Sequence, residues 1–392
     1  MLDSNIYNTY SQVVSDPLAP RQEAAPDGVA RRGQPPQASA SLGSTTKSVD
    51  IGYTERRSGR FSLHNHVRRL LPNERVSHCM CTCGSGGVEV LQAPSQIASY
   101  GGLQVCGSVW TCPICSSKIA EERRGELNRS LEWGRAQGYK PVLLTLTMRH
   151  SIGHTLYDSL DSLKTAKKRF HQSRAWRGVK RCLEGHITAT EVTHGQNGWH
   201  PHFHMLLLLN TSDEEEALSL VESARNAWQI ALSRVGYGCN QHAYHVQGAA
   251  SAGDYVGKWG PAEEMTLGNA KEAKKSGKGL SPWQLLARSA AGHKQSGALF
   301  IEYARVFKGS RQLVWSPGLK ERIGIEEVED LEVAALPDAG PVELVTTIER
   351  SLWRHIVRKG LRAEVLEVLE QEGPDALHAY LDRLRKQLPK LQ

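Results

Sequence analysis

A chain of 392 residues with 40% hydrophobic and 23% charged residues has the composition of a soluble globular protein, with room for more than one domain. Its formal net charge of +7 favours a polyanionic partner without requiring one, because many basic enzymes never meet nucleic acid. No run of about 18 apolar residues is present, which excludes a membrane-spanning helix, and the leading MLDSNIYNTYSQVV lacks the basic-then-apolar pattern of a secretory signal. A cytoplasmic location away from membranes is expected. There the eight cysteines stay reduced, and clustered ones more often hold metal.

Residues 1–60 are rich in Ala, Pro, Gly, Gln, Ser and Arg without periodicity and are expected to form a disordered tail. Residues 75–120 follow as a cysteine-rich segment: HCMCTCG places Cys79, Cys81 and Cys83 together, and CGSVWTCPICSSK adds Cys106, Cys112 and Cys115. The C-x-x-C pair Cys112 and Cys115 has the spacing that grips one tetrahedral Zn²⁺ from a tight turn, and a second pair would complete a structural site. Six cysteines exceed four ligand positions, so the set is open, while Cys182 and Cys239 stand alone and read as packing residues.

Residues 121–325 read as the central domain. SSKIAEERRGELNRSLEWGRAQG is a helix, and PVLLTLTM a strand with Val142, Leu144, Leu146 and Met148 on one face. A second helix carries Leu156, Leu160, Leu163 and Phe170 at helical spacing, with Lys164, Lys167, Lys168, Arg169 and Arg174 on a basic face of the kind that is usually only solvated. HITATEVTHGQNGWHPHFHMLLLL reads as a two-stranded hairpin about a Gly/Asn-rich turn. Ser212 to Gly236 is expected as one helix, boxed by Ser212 and Glu215, with Ala217, Val221, Ala224, Trp228, Ala231 and Val235 as its apolar stripe. HAYHVQ then gives a short strand and SAGDYVGKWG a short helix.

The lysine-rich loop GNAKEAKKSGKG, with Lys271, Lys274, Lys275 and Lys278, is a candidate phosphate contact. SPWQLLARSAAG opens with a Ser cap and Pro at the first helical position, and GALFIEYARVFKG is another amphipathic helix. Residues 326–349 are acidic and interrupted by Pro337 and Pro341, an expected linker, and 350–392 read as a small helical C-terminal module. The order strand, helix, strand, strand, helix, strand, helix implies an α+β fold with one antiparallel sheet covered by helices.

In GWHPHFHMLLLL a strand sends His200, His202 and His204 to one face and Pro201, Phe203, Met205, Leu207 and Leu209 to the other. Neutral imidazoles are good ligands, but two hold a divalent metal weakly. Glu191, on the face shared by Ile187 and Ala189, comes beside the histidine row once the hairpin folds at Gly195 to Gly198, and is the natural third ligand. The apolar run after His204 favours the pair His202 and His204, with His200 able to replace either. Such a site in a basic protein suits polarising a phosphoryl oxygen. A nucleophile is then needed, and Tyr255, three residues from Lys258 on one helical face, provides one; the ammonium or the metal would favour the phenoxide.

PVLLTLTM, GWHPHFHMLLLL and GDYVGKW resemble, in order, the three motifs of HUH-type endonucleases, specifically the single-tyrosine initiators of rolling-circle plasmid replication. TCPICSSKIAEERRGEL and FIEYARVFKGSRQLVWSPGLKERIGI resemble the flanks of those initiators, so the likeness covers about residues 75–325. It implies an HUH-like sheet and a nickase that binds the double-strand origin, cuts one strand within a hairpin with Mg²⁺ or Mn²⁺, and becomes joined through tyrosine to the 5′ phosphate. The 3′ hydroxyl is left for a host polymerase working with a helicase. By the match, His202 and His204 are metal ligands, Tyr255 the nucleophile and Lys258 its basic companion. The glutamate that some relatives carry one helical turn before the tyrosine is replaced by Ala250, Ser251 or Ala252, so termination could use Asp254, a second protomer in a homodimer, or another residue.

Three other readings use the same residues. A zinc hydrolase or lyase would use the H-x-H strand but leaves Tyr255 and Lys258 without a role. A mobilisation relaxase or single-strand transposase shares the nicking chemistry, and a non-enzymatic reading makes the cysteine segment a DNA-binding zinc module.

Overall fold

The computed structural model describes residues 51–238, 240–248, 279–337 and 340–388. Tyr255, Lys258, Asp254, Cys239, the four lysines of the 271–278 loop and most of the expected tail lie outside the described residues. The fold is α+β with antiparallel sheets, within one compact unit spanning Ser48–Gln392.

Helix α1 (Ile51–Leu70) leads to strands β1 (Val88–Gln92) and β2 (Ala98–Gly101), then helix α2 (Pro113–Ala136) and strand β3 (Lys140–Leu146). Helices α3 (Leu156–His171) and α4 (Arg174–Lys180) precede the long hairpin of β4 (Leu183–Gly195) and β5 (Gly198–Leu209). Helices α5 (Glu214–Glu222) and α6 (Arg225–Ser233) and strand β6 (Tyr244–Gly248) follow. After the undescribed segment come α7 (Pro282–Ala290), α8 (Lys294–Phe307), β7 (Leu313–Trp315), α9 (Leu319–Ile323), α10 (Asp330–Ala335) and β8 (Glu343–Ile348). The chain closes with α11 (Arg350–Lys359), α12 (Arg362–Glu372) and α13 (Pro374–Lys386).

The main sheet has the order β6-β3-β5-β4-β7, every pairing antiparallel, so β5 is its middle strand. That position explains the unbroken apolar run after His204. Phe203, Met205, Leu207 and Leu209 pack with Phe170 of α3 and Trp228 of α6, while Leu206 and Leu208 meet Leu127 and Leu131 of α2 on the opposite face. A strand buried on both sides loses the polar alternation of a half-exposed one. The fit is tight: a Cβ added at Gly134 of α2 would stand 2.9 Å from Leu208 Cδ2.

Several expectations need correction. The tail was expected to run to residue 60, yet α1 begins at Ile51, because Phe61 and Val67 have a core to enter. The single helix expected from Ser212 is two: Ser223 Oγ donates back to the Leu220 carbonyl at 2.7 Å and the chain turns at Ser223–Ala224 before α6. The stripe from Ala217 to Ala231 stays buried across the break. The capping residue is Asp213, whose Oδ1 accepts from the Glu216 amide at 2.8 Å, one residue beyond the expected Ser212, while the Glu216 carboxylate accepts from the Ser212 amide at 2.9 Å rather than from the cap residue's own. The stretch 326–349, expected as a linker, carries α10, whose Asp330 takes a 2.7 Å ion pair from Arg123 of α2, and β8, which pairs antiparallel with β1. The Ser281 cap with Pro282 at the first helical position stands as expected, completed by Gln284 into a capping box. Among the described residues no helix is long and apolar enough to cross a membrane.

The C-terminal helices share a core with α1 and β1: Leu352, Trp353, Leu366 and Leu381 lie in one cluster with Phe61, Val67 and Val90. Across that junction Arg57 makes a two-pronged contact with Glu370, at 2.6 and 2.5 Å, and Glu370 Oε1 also accepts from the Ala98 amide at 2.8 Å. Arg57 is 2% exposed, so removing the Glu370 carboxylate takes two charge-assisted hydrogen bonds from a guanidinium held away from water. Glu370→Ala should therefore lower unfolding stability by about 3–5 kcal/mol, and adding Arg57→Met should recover part of that loss. Denaturant titrations of the wild type and both variants measure it. Equal stability of Glu370→Ala and the wild type would refute the reading.

Candidate metal centre and nucleic-acid interface

The two-residue turn Gln196–Asn197 closes β4 onto β5, with Gly198 at φ +86°, a conformation a side chain disfavours. From Gly195↔Gly198 the ladder runs back in register and puts Glu191 opposite His202 and Ala189 opposite His204. On the other side of β5, Thr145 of β3 stands opposite His204. Three strands thus converge on one patch.

Glu191 Oε2 lies 3.1 Å from His202 Nε2 and 3.1 Å from His204 Nε2. The two histidines are 8% and 1% exposed, whereas the Glu191 carboxylate keeps about a third of its surface open. His202 Nδ1 sits 3.3 Å from the His200 carbonyl, and a carbonyl only accepts, so Nδ1 carries the proton. With its proton on Nδ1, the neutral tautomer of His202 would turn an Nε2 lone pair toward a carboxylate oxygen. Thr145 Oγ1, 3.0 Å from His204 Nδ1, can hold that ring in the same tautomer. Acceptors facing one another at 3.1 Å call for a cation between them, and the donor set of two imidazoles and one carboxylate suits a divalent metal. Burial pushes the Glu191 carboxyl up, but the two imidazoles drawn against the carboxylate outweigh burial and hold it well below the usual carboxylate range. Burial pushes His204 down, which keeps its ring neutral.

His200 is on the same strand face but outside this trio. Its Nε2 is 2.7 Å from Thr147 Oγ1, its ring stacks on His150 at 4.4 Å, and burial pushes it down to about 3. Thr145 and Thr147 escaped notice in the sequence, although they occupy the face of PVLLTLTM opposite Val142, Leu144 and Leu146. A small cavity of about 70 Å³ adjoins Glu191 and is walled by Val109, Trp110, Trp283 and Tyr303.

Of the six clustered cysteines, Cys79, Cys106, Cys112 and Cys115 bring their sulfurs within 4.8 Å of one another, and all four are buried. Cys81 instead accepts from Arg362 Nη1 at 3.3 Å, and Cys83 pairs by its backbone with Leu103. Cys182 is partly exposed and outside the quartet.

On the sheet face away from the histidines, Lys164, Lys167, Lys168 and Arg311 line a groove of about 660 Å³. Lys167 Nζ donates to Thr188 Oγ1 at 3.2 Å, lies 4.8 Å from the Phe203 ring centre, and is pushed down to about 8 by burial. Among the described residues no carboxylate lines the groove. The helix face that the sequence presents as merely solvated is thus partly enclosed.

The chain resembles "Protein rep" of Streptomyces lividans, 26% identical over 78% of this chain and 84% of that protein. It also resembles "Protein rep" of Lactiplantibacillus plantarum, 27% identical over 35% of this chain and 43% of the other. A third similarity, to the "Neomycin resistance protein" of Streptomyces cyanogenus, is 31% identity over 29% of this chain and 32% of that protein. No solved structure matches. Residues 103–339, which contain β3, the histidine hairpin and three of the four converging cysteines, match the family described as Replication protein, and the chain belongs to that family.

Proposed function

We propose that this protein initiates rolling-circle replication of a plasmid by nicking one strand of its double-strand origin through an HUH-type site. The observation that carries the reading is the carboxylate and two imidazoles converging at 3.1 Å beside the turn of one hairpin, in a chain of the Replication protein family. Glu191, His202 and His204 fit a divalent ion, and Mg²⁺ or Mn²⁺, the metals that the family resemblance implies, would when bound supply Lewis-acid polarisation of the scissile phosphate. In this reading Tyr255 Oη attacks phosphorus, the P–O3′ bond breaks, and the leaving 3′ oxygen takes up a proton. A 5′-phosphotyrosine and a 3′ hydroxyl result, and Lys258 favours the phenoxide. The reverse attack by a 3′ hydroxyl releases Tyr255 and joins the strand. The groove of Lys164, Lys167, Lys168 and Arg311 offers phosphates a cationic wall.

Incubating the protein with a single-stranded oligonucleotide spanning the nick site and Mn²⁺ should give an SDS-stable protein–DNA adduct that EDTA abolishes. Cutting that ignores chelator would remove the metal site from the reaction. Hydrolysis of a small ester with no DNA cut would favour a zinc hydrolase instead.

A further inference from the structure

We propose that Cys79, Cys106, Cys112 and Cys115 hold one structural Zn²⁺ as a tetrathiolate, and that this ion sets the short loop walling the cavity at Glu191. The inference goes beyond the nicking chemistry and stands whether or not that chemistry does. A Zn–S bond of about 2.3 Å in a tetrahedron places neighbouring sulfurs about 3.8 Å apart. The sulfur–sulfur separations are 3.5 Å for Cys79 and Cys115, 3.6 Å for Cys79 and Cys112, and 3.7 Å for Cys106 and Cys115. A disulfide needs about 2.05 Å, so the sulfurs are spaced for a shared ion rather than for bonding to one another.

The surroundings fit thiolates. Cys112 caps α2, whose positive end favours negative charge, and its sulfur accepts from the Cys115 amide at 3.4 Å. The Ser108 amide donates to Cys106 Sγ at 3.5 Å. Amide donors of this kind stabilise sulfur-borne charge without offering a competing acid. The ligands come from three places in the chain: the turn after α1, the stretch after β2, and the first turn of α2. One ion would therefore join segments that share little regular structure.

Between two of the ligands runs Gly107–Thr111. Its Val109 and Trp110 wall the cavity that Glu191 adjoins. Trp110 Nε1 donates to the Ser310 carbonyl at 2.7 Å, and its ring lies 4.6 Å from Phe307. With both ends fixed at a metal, the loop holds that wall in place. Without the ion, four thiols in close contact have no shared charge partner, and the loop loses both anchors.

Full-length protein, purified under reducing conditions without chelator, should carry about one zinc per chain that survives dialysis. Exchange for Co²⁺ should give the intense thiolate-to-metal charge-transfer absorption, which the nitrogen and oxygen donors of the Glu191 site cannot produce. Cys112→Ser should drop the zinc content at least fivefold, whereas Cys81→Ser and Cys83→Ser should retain it. Should Cys112→Ser fail to fold, titrating wild-type protein with a mercurial while a colorimetric chelator records released zinc gives the same answer. Zinc-free protein, iron in place of zinc, Co²⁺ spectra without thiolate bands, or unchanged zinc in folded Cys112→Ser would each overturn the proposal. In zinc-stripped protein, amide exchange should rise at 107–111; unchanged exchange there would overturn the loop-setting role.

Discussion

Tyr255→Phe should abolish the SDS-stable adduct with origin DNA, leaving no more than about 0.1% of wild-type cleavage, while DNA affinity and thermal stability stay unchanged. The substitution removes one oxygen and nothing else. In the proposed reaction that oxygen becomes the bridging atom of the intermediate, so no neighbouring group can replace it without changing the product. A phosphodiester to tyrosine also conserves the energy of the broken DNA bond, and joining needs no nucleotide cofactor. A variant that lacks the hydroxyl loses cutting and joining together. The measurement is a denaturing gel of a 3′-labelled oligonucleotide, whose 5′-phosphate fragment migrates with the protein only when linked. An adduct persisting in Tyr255→Phe would move the nucleophile elsewhere.

His204→Ala should lower divalent-metal affinity, and metal-dependent cutting with it, by at least about 100-fold, since even the outer partners of a metal ligand are worth about 10–100-fold. His204 is the better buried of the two imidazoles and is held from both sides, by Thr145 on β3 and Glu191 on β4. Glu191→Gln tests the same centre with almost no change of volume: it removes the negative charge that faces both Nε2 atoms. Thr145→Val should give a smaller effect, about 10-fold, because it removes one hydrogen bond that orients the His204 ring without removing a metal donor. His200→Ala should keep metal affinity within a few-fold, as its Nε2 is engaged with Thr147 Oγ1. Isothermal titration with Mn²⁺ separates these cases. Equal losses for His200→Ala and His204→Ala would mean that the row acts as a whole rather than through the trio.

The histidine hairpin was legible because it is local. Alternation along GWHPHFHMLLLL assigns faces, and a turn two residues long fixes which residue opposes which, so Glu191 could be paired with the histidines from the sequence alone. The cap at Ser281 was legible for the same reason, as its partner Gln284 is three residues away. Long-range choices were not. Nothing in 326–349 announces that Ile348 will lie across from Val88, and nothing near Arg57 points to Glu370. The choice among six cysteines likewise depends on where the turn after α1 meets the start of α2. The break at Ser223 hid because the apolar stripe continues across it: periodicity reports the face, not the continuity of the backbone. Tyr255 and Lys258, which rest on the order of motifs, lie outside the described residues.

The turn at Gln196–Asn197 has a consequence for folding errors. One residue inserted there would slide β4 by one position against β5, turning Glu191 into the apolar layer around Phe203 and Met205 and bringing a neighbour of the wrong kind opposite His202. Core and ion site would fail together. A mispaired hairpin is thus disqualified twice, once by a carboxylate forced among hydrocarbons and once by a missing ligand, and metal affinity becomes a fidelity check on strand alignment.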